Sequence, residues 1–289
     1  MKYQPTLKWL IPLIGILALI AASAGLFYHT PGEPYPYTNH RDELVMINGH
    51  GIYFYDTVSF AAQMQGNDLV TLVVGLPLLA ISSWLAFRGS LRGKLLMAGT
   101  LGFFLYTYMS MATLASYNAL FLVYVAIFTL SFYAFVLSMM SFDLKTLSQA
   151  FSAKLPHGWI VGLMFLVGGF LLLAWLGRII PPLLQSETPA LENTTTLVIQ
   201  FMDLGLIVPL AFLGGVLLLR RNAWGYLLSS IMLTKGITLG LGVSAMAINM
   251  ARKGVADSLG IMVPFLVITL LNLVMVSLLL KNVETQIAK

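Results

Sequence analysis

"LPLLAISSWLAFRGSLRGKLL" (residues 76–96) contains the pattern that decides the fold of this chain. An apolar run ends at a short turn with Arg88, Arg92 and Lys94, and a second apolar run begins directly after it. Apolar runs of about 20 residues are long enough to cross the hydrocarbon core of a bilayer as helices. Basic residues between such runs are typical of cytoplasmic loops. The stretch therefore predicts two antiparallel membrane helices that are joined on the cytoplasmic side.

The composition of the whole chain indicates that its main partner is a lipid bilayer. Of the 289 residues, 58% are hydrophobic and 9% are charged, and the mean hydropathy is +0.88. A soluble domain has about 25% charged residues. The basic residues are scattered at the ends of apolar runs, which argues against a nucleic-acid partner. Because the chain has no cysteine, disulfides, thiolate nucleophiles and Cys-ligated metals are excluded.

We predict an all-α, polytopic membrane helix bundle that forms a single transmembrane domain over residues 1–289. Each predicted span is an apolar run of nearly membrane-spanning length. The eight predicted spans are 9–28, 69–87, 95–115, 118–140, 159–178, 196–219, 224–249 and 259–280.

The distribution of lysine and arginine predicts the orientation of these spans. Eleven basic residues lie on the side of the N-terminus and four lie on the other side, so both termini are expected in the cytoplasm. The expected location is a bacterial inner membrane. Ala22-Ser23-Ala24 resembles a signal-peptidase site, but the apolar run continues to Phe27, which favours a retained anchor.

The two halves of the chain can be aligned with each other. Residues 76–96 match residues 208–228 without gaps at an offset of 132 residues, pairing Pro77 with Pro209 and Gly93 with Gly225. This predicts a parallel repeat of four spans plus four spans, with halves 1–141 and 158–289. The alternative is a chance similarity between leucine-rich spans. Residues 142–157 between the halves have apolar residues at helical spacing. They predict a cytoplasmic amphipathic linker helix, with an ordinary solvated connector as the alternative.

The outer loop, residues 29–67, contains the most polar stretch of the chain. Within "GHGIYFYDTVSFAAQMQGNDLVTL" (49–72), Asp56, Ser59 and Gln63 fall on one face of a helix. This predicts an interfacial or re-entrant helix over residues 52–65 that is broken at Gly66. Asp68 would then begin the next span, where a carboxylate is favoured at a helix N-terminus.

Two ionisable residues lie inside predicted spans, where burying a charge is costly. Asp203 follows Gln200 by three residues on the same helix face, and Lys235 lies in the next span. The two spans are antiparallel and a lysine side chain can reach several ångströms, so a contact between Asp203 and Lys235 is geometrically plausible. The pair could line an outward-facing cavity or form a buried ion pair that only fixes helix register. The predicted binding residues are Asp203, Lys235, Gln200, Asp56, Gln63 and Asp68.

The function predicted from these features is binding or transport of a small solute or a lipid-like molecule. One alternative is a membrane enzyme acting on a lipid-linked substrate, with Asp56 or Asp203 as general base. Another is a non-catalytic subunit whose outer loop docks a membrane-protein partner. The sequence has no G-x-S-x-G, H-E-x-x-H or Walker A motif, so no catalytic residue, cofactor or metal is predicted.

Overall fold

The computed structural model describes residues 1–255 and 259–284 and confirms an all-α bundle with eight helices long and apolar enough to span a membrane. The bounds of these helices agree with the predicted spans to within a few residues, with one exception. The second helix starts eleven residues before its predicted span. Their bounds are α1 Gln4–Phe27, α2 Val58–Phe87, α3 Leu91–Leu114, α4 Phe121–Met139, α5 His157–Leu184, α6 Val198–Leu219, α7 Ala223–Arg252 and α8 Leu259–Lys281.

Successive helices run in opposite directions, so the connections fall on two sides of the bundle. The terminal side carries residues 1–3, 88–90, 140–156, 220–222 and 282–284, and the hairpin side carries residues 28–57, 115–120 and 185–197. Which side faces the cytoplasm stays a prediction. Lys289, which contributed to the predicted charge asymmetry, lies outside the described residues.

The centre of the bundle is formed by α3 and α7. In each, 61% of the most apolar window is buried, against 28–44% in the other six spans. Helix α7 packs against α2, α3, α6 and α8, and α3 packs against α2, α4 and α7. Small residues allow these contacts: a Cβ atom added at Gly99 of α3 would lie 2.5 Å from the Thr234 Cβ of α7. Close approach at small residues is the usual way in which membrane helices pack.

Helices α2 and α6 each contain one π turn, at Thr71–Gly75 and at Asp203–Ile207. The regular helix resumes directly after each turn, with Pro77 and Pro209 in its first turn. Proline lacks an N–H and its ring crowds the preceding turn, which the wider π turn accommodates. The two π turns are separated by the same 132 residues as the sequence match. Equal offsets are expected of a duplicated helix pair, and the duplication itself stays a prediction.

A β-hairpin in the outer loop was not predicted. Its strands, β1 Tyr35–Thr38 and β2 Leu44–Ile47, pair antiparallel with Tyr35 opposite Ile47. In the turn between them, the Asn39 side chain accepts hydrogen bonds from the backbone N–H groups of Arg41 and Glu43. The strands are too short, and their residues too exposed, for alternation to mark them in the sequence.

The helix predicted in the interface over residues 52–65 is instead the first part of α2. It begins after Thr57, whose hydroxyl accepts the N–H of Phe60, and continues to Phe87. The predicted break at Gly66 is therefore wrong. Gly66 lies where α2 meets α7, and an added Cβ would be 2.6 Å from the Met246 nitrogen. The glycine reflects close helix packing and not a chain turn.

The linker between the halves is less helical than predicted. It has one helical turn, Leu144–Leu147, and a 3-10 turn, Ser148–Ala150, after which Phe151 pairs with Val283 in an isolated antiparallel bridge. The Phe151 ring stacks on Tyr226 at 4.6 Å between centroids. The apolar side of the linker is thus buried against α7 and the end of α8.

Gly66→Ala should lower the stability of the protein, because the new methyl group would overlap the α7 backbone. Overpacking of this kind costs about 1–3 kcal/mol. Gly162→Ala is the matched control, since an added Cβ there meets no atom within 4 Å. Thermal denaturation in detergent should show a lower midpoint for Gly66→Ala and an unchanged or higher midpoint for the control. Equal midpoints for the two variants would contradict the packing.

Candidate functional site

A cavity of about 390 Å³ lies between the two halves of the bundle, toward the hairpin side. Its walls come from α2, α3, α5, α6 and α7, with Phe265 of α8 and residues 190–197 completing it. Four of the predicted binding residues line this cavity: Gln63, Gln200, Asp203 and Lys235. The structure therefore brings together side chains that are 172 positions apart in the sequence.

Asp203 lies deep in the cavity, and both of its carboxylate oxygens are hydrogen bonded. The Tyr106 hydroxyl of α3 donates to Oδ1 at 2.7 Å, and the Trp175 Nε1 of α5 donates to Oδ2 at 2.9 Å. Only 3% of Asp203 is exposed. Two donors on one carboxylate stabilise its charge where water is excluded. Asp203 is the first residue of the π turn in α6, a type of turn that is frequent at functional sites.

Lys235 occupies the same end of the cavity but does not contact Asp203 directly. Its Nζ lies 3.7 Å from the centroid of the Tyr106 ring, a cation–π contact. The only ion pair within 4.0 Å in the described part of the chain is Arg41–Glu43, so the predicted Asp203–Lys235 contact is wrong. The reason is that Tyr106 lies against both groups, with its hydroxyl on the carboxylate and its ring on the ammonium.

The Lys235 ammonium has no hydrogen-bond acceptor among residues 1–255 and 259–284, although 95% of the side chain is buried (5% exposed). An ammonium carries three N–H donors, and burying it without an acceptor is unfavourable. The cation–π contact with Tyr106 offsets part of that cost. The cavity thus has an unused cationic donor at its deep end.

Residues 190–197 form one wall of the cavity mouth, and the β-hairpin holds them in place. Arg41 donates to the Thr194 carbonyl at 3.0 Å, and Asn39 donates to the Glu192 carbonyl at 2.8 Å. The Thr57 hydroxyl also donates to the Glu192 carboxylate. The hydrogen bond from Asn39 and the nearby Arg41 charge lower the pKa of Glu43, which keeps Glu43 ionised beside Arg41. The outer loops of the two halves are thereby joined at the mouth.

Asp68 and Asp56, the other two predicted binding residues, do not line the cavity. Asp68 is buried within α2 and accepts a hydrogen bond from the Tyr53 hydroxyl at 2.6 Å, so its predicted place at a helix N-terminus is wrong. Asp56 is buried in the outer loop and accepts the N–H of Ser116 at 2.8 Å. Asp68 connects the loop before α2 to the helix bundle, and Asp56 connects that loop to the α3–α4 connection.

Sequence reasoning did not identify the donors that hold Asp203. Tyr106 is one of twelve tyrosines and Trp175 one of five tryptophans in the chain, and neither carries a distinguishing sequence signal. Their role depends on where α3 and α5 lie relative to α6, which a single sequence does not reveal. A polar aromatic residue in the outer third of a span was the available hint, because a buried Trp or Tyr usually needs a hydrogen-bond partner.

Comparisons with protein-family models, curated proteins and solved structures find no match for this chain. Its function is therefore inferred from the cavity and the chemistry of its lining.

The stability of the outer loop should depend on pH through Asp56. Burial raises the pKa of this carboxyl to about 6 from 3.8, and the hydrogen bonds from Ser116 oppose part of the rise. Between about pH 4 and pH 6 the folded protein keeps this proton and the unfolded chain loses it. The free energy of unfolding should therefore decrease across that range, by about 3 kcal/mol, and then level off.

Asp56→Asn should remove this decrease, because the amide mimics the protonated carboxyl and still accepts from Ser116. Denaturation midpoints measured from pH 4 to pH 8 should show Asp56→Asn more stable than the wild type above pH 6. Exposed Asp42→Asn is the control and should follow the wild type. Parallel profiles for the wild type and Asp56→Asn would refute the assignment.

Proposed function

We propose that this multi-pass membrane protein binds a small solute or a lipid-like molecule in the cavity and carries it across the membrane. The observation that supports this most directly is the pair of opposite charges at the deep end of the cavity. Asp203 is held by two donors there, and Lys235 has an unused ammonium. Buried intramembrane charges around a cavity are typical of substrate and ion pathways.

The size and lining of the cavity support ligand binding. Small-molecule sites have volumes of about 300–1,000 Å³ and are mostly apolar with a few polar groups. A volume of about 390 Å³ falls in that range. Gln63, Gln200 and Thr238 add polar groups to a wall that is otherwise rich in apolar and aromatic side chains.

The position of the cavity supports transport. It lies between the two halves of the bundle, as sites in repeat-built transporters do. On the terminal side of the cavity, Gly99 of α3 and Thr234 of α7 are in close contact. The π turns in α2 and α6 are points at which these helices could bend. With the hairpin side outside, as the basic residues predict, the site in this structure faces outward.

Gly242→Leu should prevent ligand binding by filling the cavity. Gly242 lines the cavity, and an added Cβ would meet only the Asn67 Oδ1, at 3.5 Å. The measurement is mass spectrometry of small molecules extracted from the purified full-length protein. A molecule present with the wild type at stoichiometric amounts should be reduced at least tenfold with Gly242→Leu.

The matched control for this test is Gly162→Leu, because Gly162 is exposed on α5 with no atom near its added Cβ. The control should retain the molecule at the wild-type level. Equal retention by all three proteins would place the molecule outside the cavity. An absence of any specific small molecule from the wild type would count against the proposed function.

Transport can be separated from binding with single cysteines, because the natural chain has none. Ser110→Cys lines the cavity and should react with a membrane-impermeant maleimide added to intact cells. Thr234→Cys, at the closed α3–α7 contact, should react only in inside-out vesicles and faster when the co-purified molecule is present. Exposed Lys154→Cys controls for sidedness. A Thr234→Cys variant that never reacts from the terminal side would indicate a binding protein without transport.

A further inference from the structure

We propose that the ligand is a monoanionic amphiphile, whose single carboxylate-type group binds the Lys235 ammonium while its apolar body lies along the cavity wall. This inference rests on the proposed function and names the chemical class of its ligand.

The first argument is the state of Lys235. Lys235 lines the cavity, and its ammonium is buried against the Tyr106 ring with no acceptor in the described part of the chain. An unpaired buried charge is unfavourable, and it becomes favourable when an oppositely charged, hydrogen-bonding partner arrives. A carboxylate supplies both the charge and the acceptor oxygens that the three N–H donors lack.

The second argument is that Asp203 already has hydrogen-bond donors and Lys235 has no acceptor. Tyr106 and Trp175 each donate to one of the Asp203 oxygens, and Tyr106 also lies between Asp203 and Lys235 through its ring contact. A cationic ligand would share the carboxylate with these two donors and would leave Lys235 without a partner. An anionic ligand supplies the partner that Lys235 lacks, so the site favours an anion over a cation.

The third argument limits the ligand to one negative charge. Lys235 is the unpaired cation at the deep end of the cavity, and the nearby Asp203 carboxylate opposes a second negative charge. Arg178 lies at the mouth, where it donates to the Ala190 carbonyl. A dianion such as a phosphate monoester would bring more charge than Lys235 compensates.

The cavity wall determines the remainder of the ligand. The apolar side chains of the cavity wall include Phe103, Leu239, Val243, Met246 and Phe265. These surfaces gain free energy by covering apolar or aromatic surface of a ligand. The acidic group at the deep end and the apolar wall together define an amphiphile.

The test uses four water-soluble probes with the same phenylbutyl body and different head groups: 4-phenylbutyrate, 4-phenylbutan-1-ol, 4-phenylbutylamine and 4-phenylbutylphosphonate. Binding to the full-length protein, stripped of co-purified molecules, is measured by equilibrium dialysis at pH 8. The carboxylate should bind at least tenfold more tightly than the other three, the lower end of the range for a hydrogen bond to a charged group.

Lys235→Met should weaken carboxylate binding at least tenfold and leave alcohol binding unchanged, which also shows that the variant is folded. Lys235→Arg should restore most of the carboxylate affinity, because it retains a cationic donor. The matched control is Lys253→Met, directly after the same helix, since Lys253 bonds to Asn48 and does not line the cavity. Its carboxylate affinity should equal that of the wild type.

Three outcomes would overturn the inference while the proposed function stands: equal binding of carboxylate and alcohol, preference for the amine or the phosphonate, or full carboxylate affinity in Lys235→Met. If none of the four probes binds to the wild type, the inference fails for this ligand class. Retention of a molecule in the Gly242→Leu experiment then decides whether the cavity binds another kind of ligand or none.

Discussion

A carboxylate inside a membrane bundle needs hydrogen-bond donors from the protein, because the hydrocarbon around it supplies none. In this protein the donors come from two neighbouring helices, so α3, α5 and α6 meet at this carboxylate. Asp203 of α6 takes one donor from α3 and one from α5, and the ring of the α3 donor, Tyr106, also carries the Lys235 ammonium of α7. The deep end of the cavity is therefore a network that connects the first half of the chain to the second. Because each member depends on the others, the network fixes where the unused donor of Lys235 lies.

The cavity exists because the two halves do not pack on each other in the same way. Helix α2 lies tightly on α7, where Gly66 meets Met246. At the offset of 132 residues, the counterpart of Gly66 is Val198 of α6, which lines the cavity. The segment Val198–Met202 packs only lightly on α3. At the same offset, Gln200 is the counterpart of Asp68. Gln200 lines the cavity, whereas the Asp68 carboxyl is covered by Tyr53 of the outer loop. Two helices that match in sequence at this offset thus have one covered polar site and one that lines the cavity.

The spans could be predicted, because length and hydrophobicity in a membrane leave few alternatives. The failures have specific causes. Gly66 was interpreted as a helix break, since glycine disfavours helices, but in a bundle glycine also marks close contact between helices. Asp68 was interpreted as a helix cap because it follows that glycine. The hairpin of residues 35–47 was missed because its strands have four residues each and little burial.

The sequence by itself determined that the chain is a bundle of eight membrane helices and that Asp203 and Lys235 are charges buried within it. It did so because burial in lipid makes every ionisable residue conspicuous against an apolar background. Only the tertiary structure decided that Tyr106 separates these two charges and that Trp175 is the second donor to Asp203. It also decided that Lys235 lines a cavity while its ammonium has no acceptor among the described residues. Those facts depend on how α3, α5, α6 and α7 are placed around one another. Side-chain contacts between helices set that placement, and no local pattern along the chain encodes it.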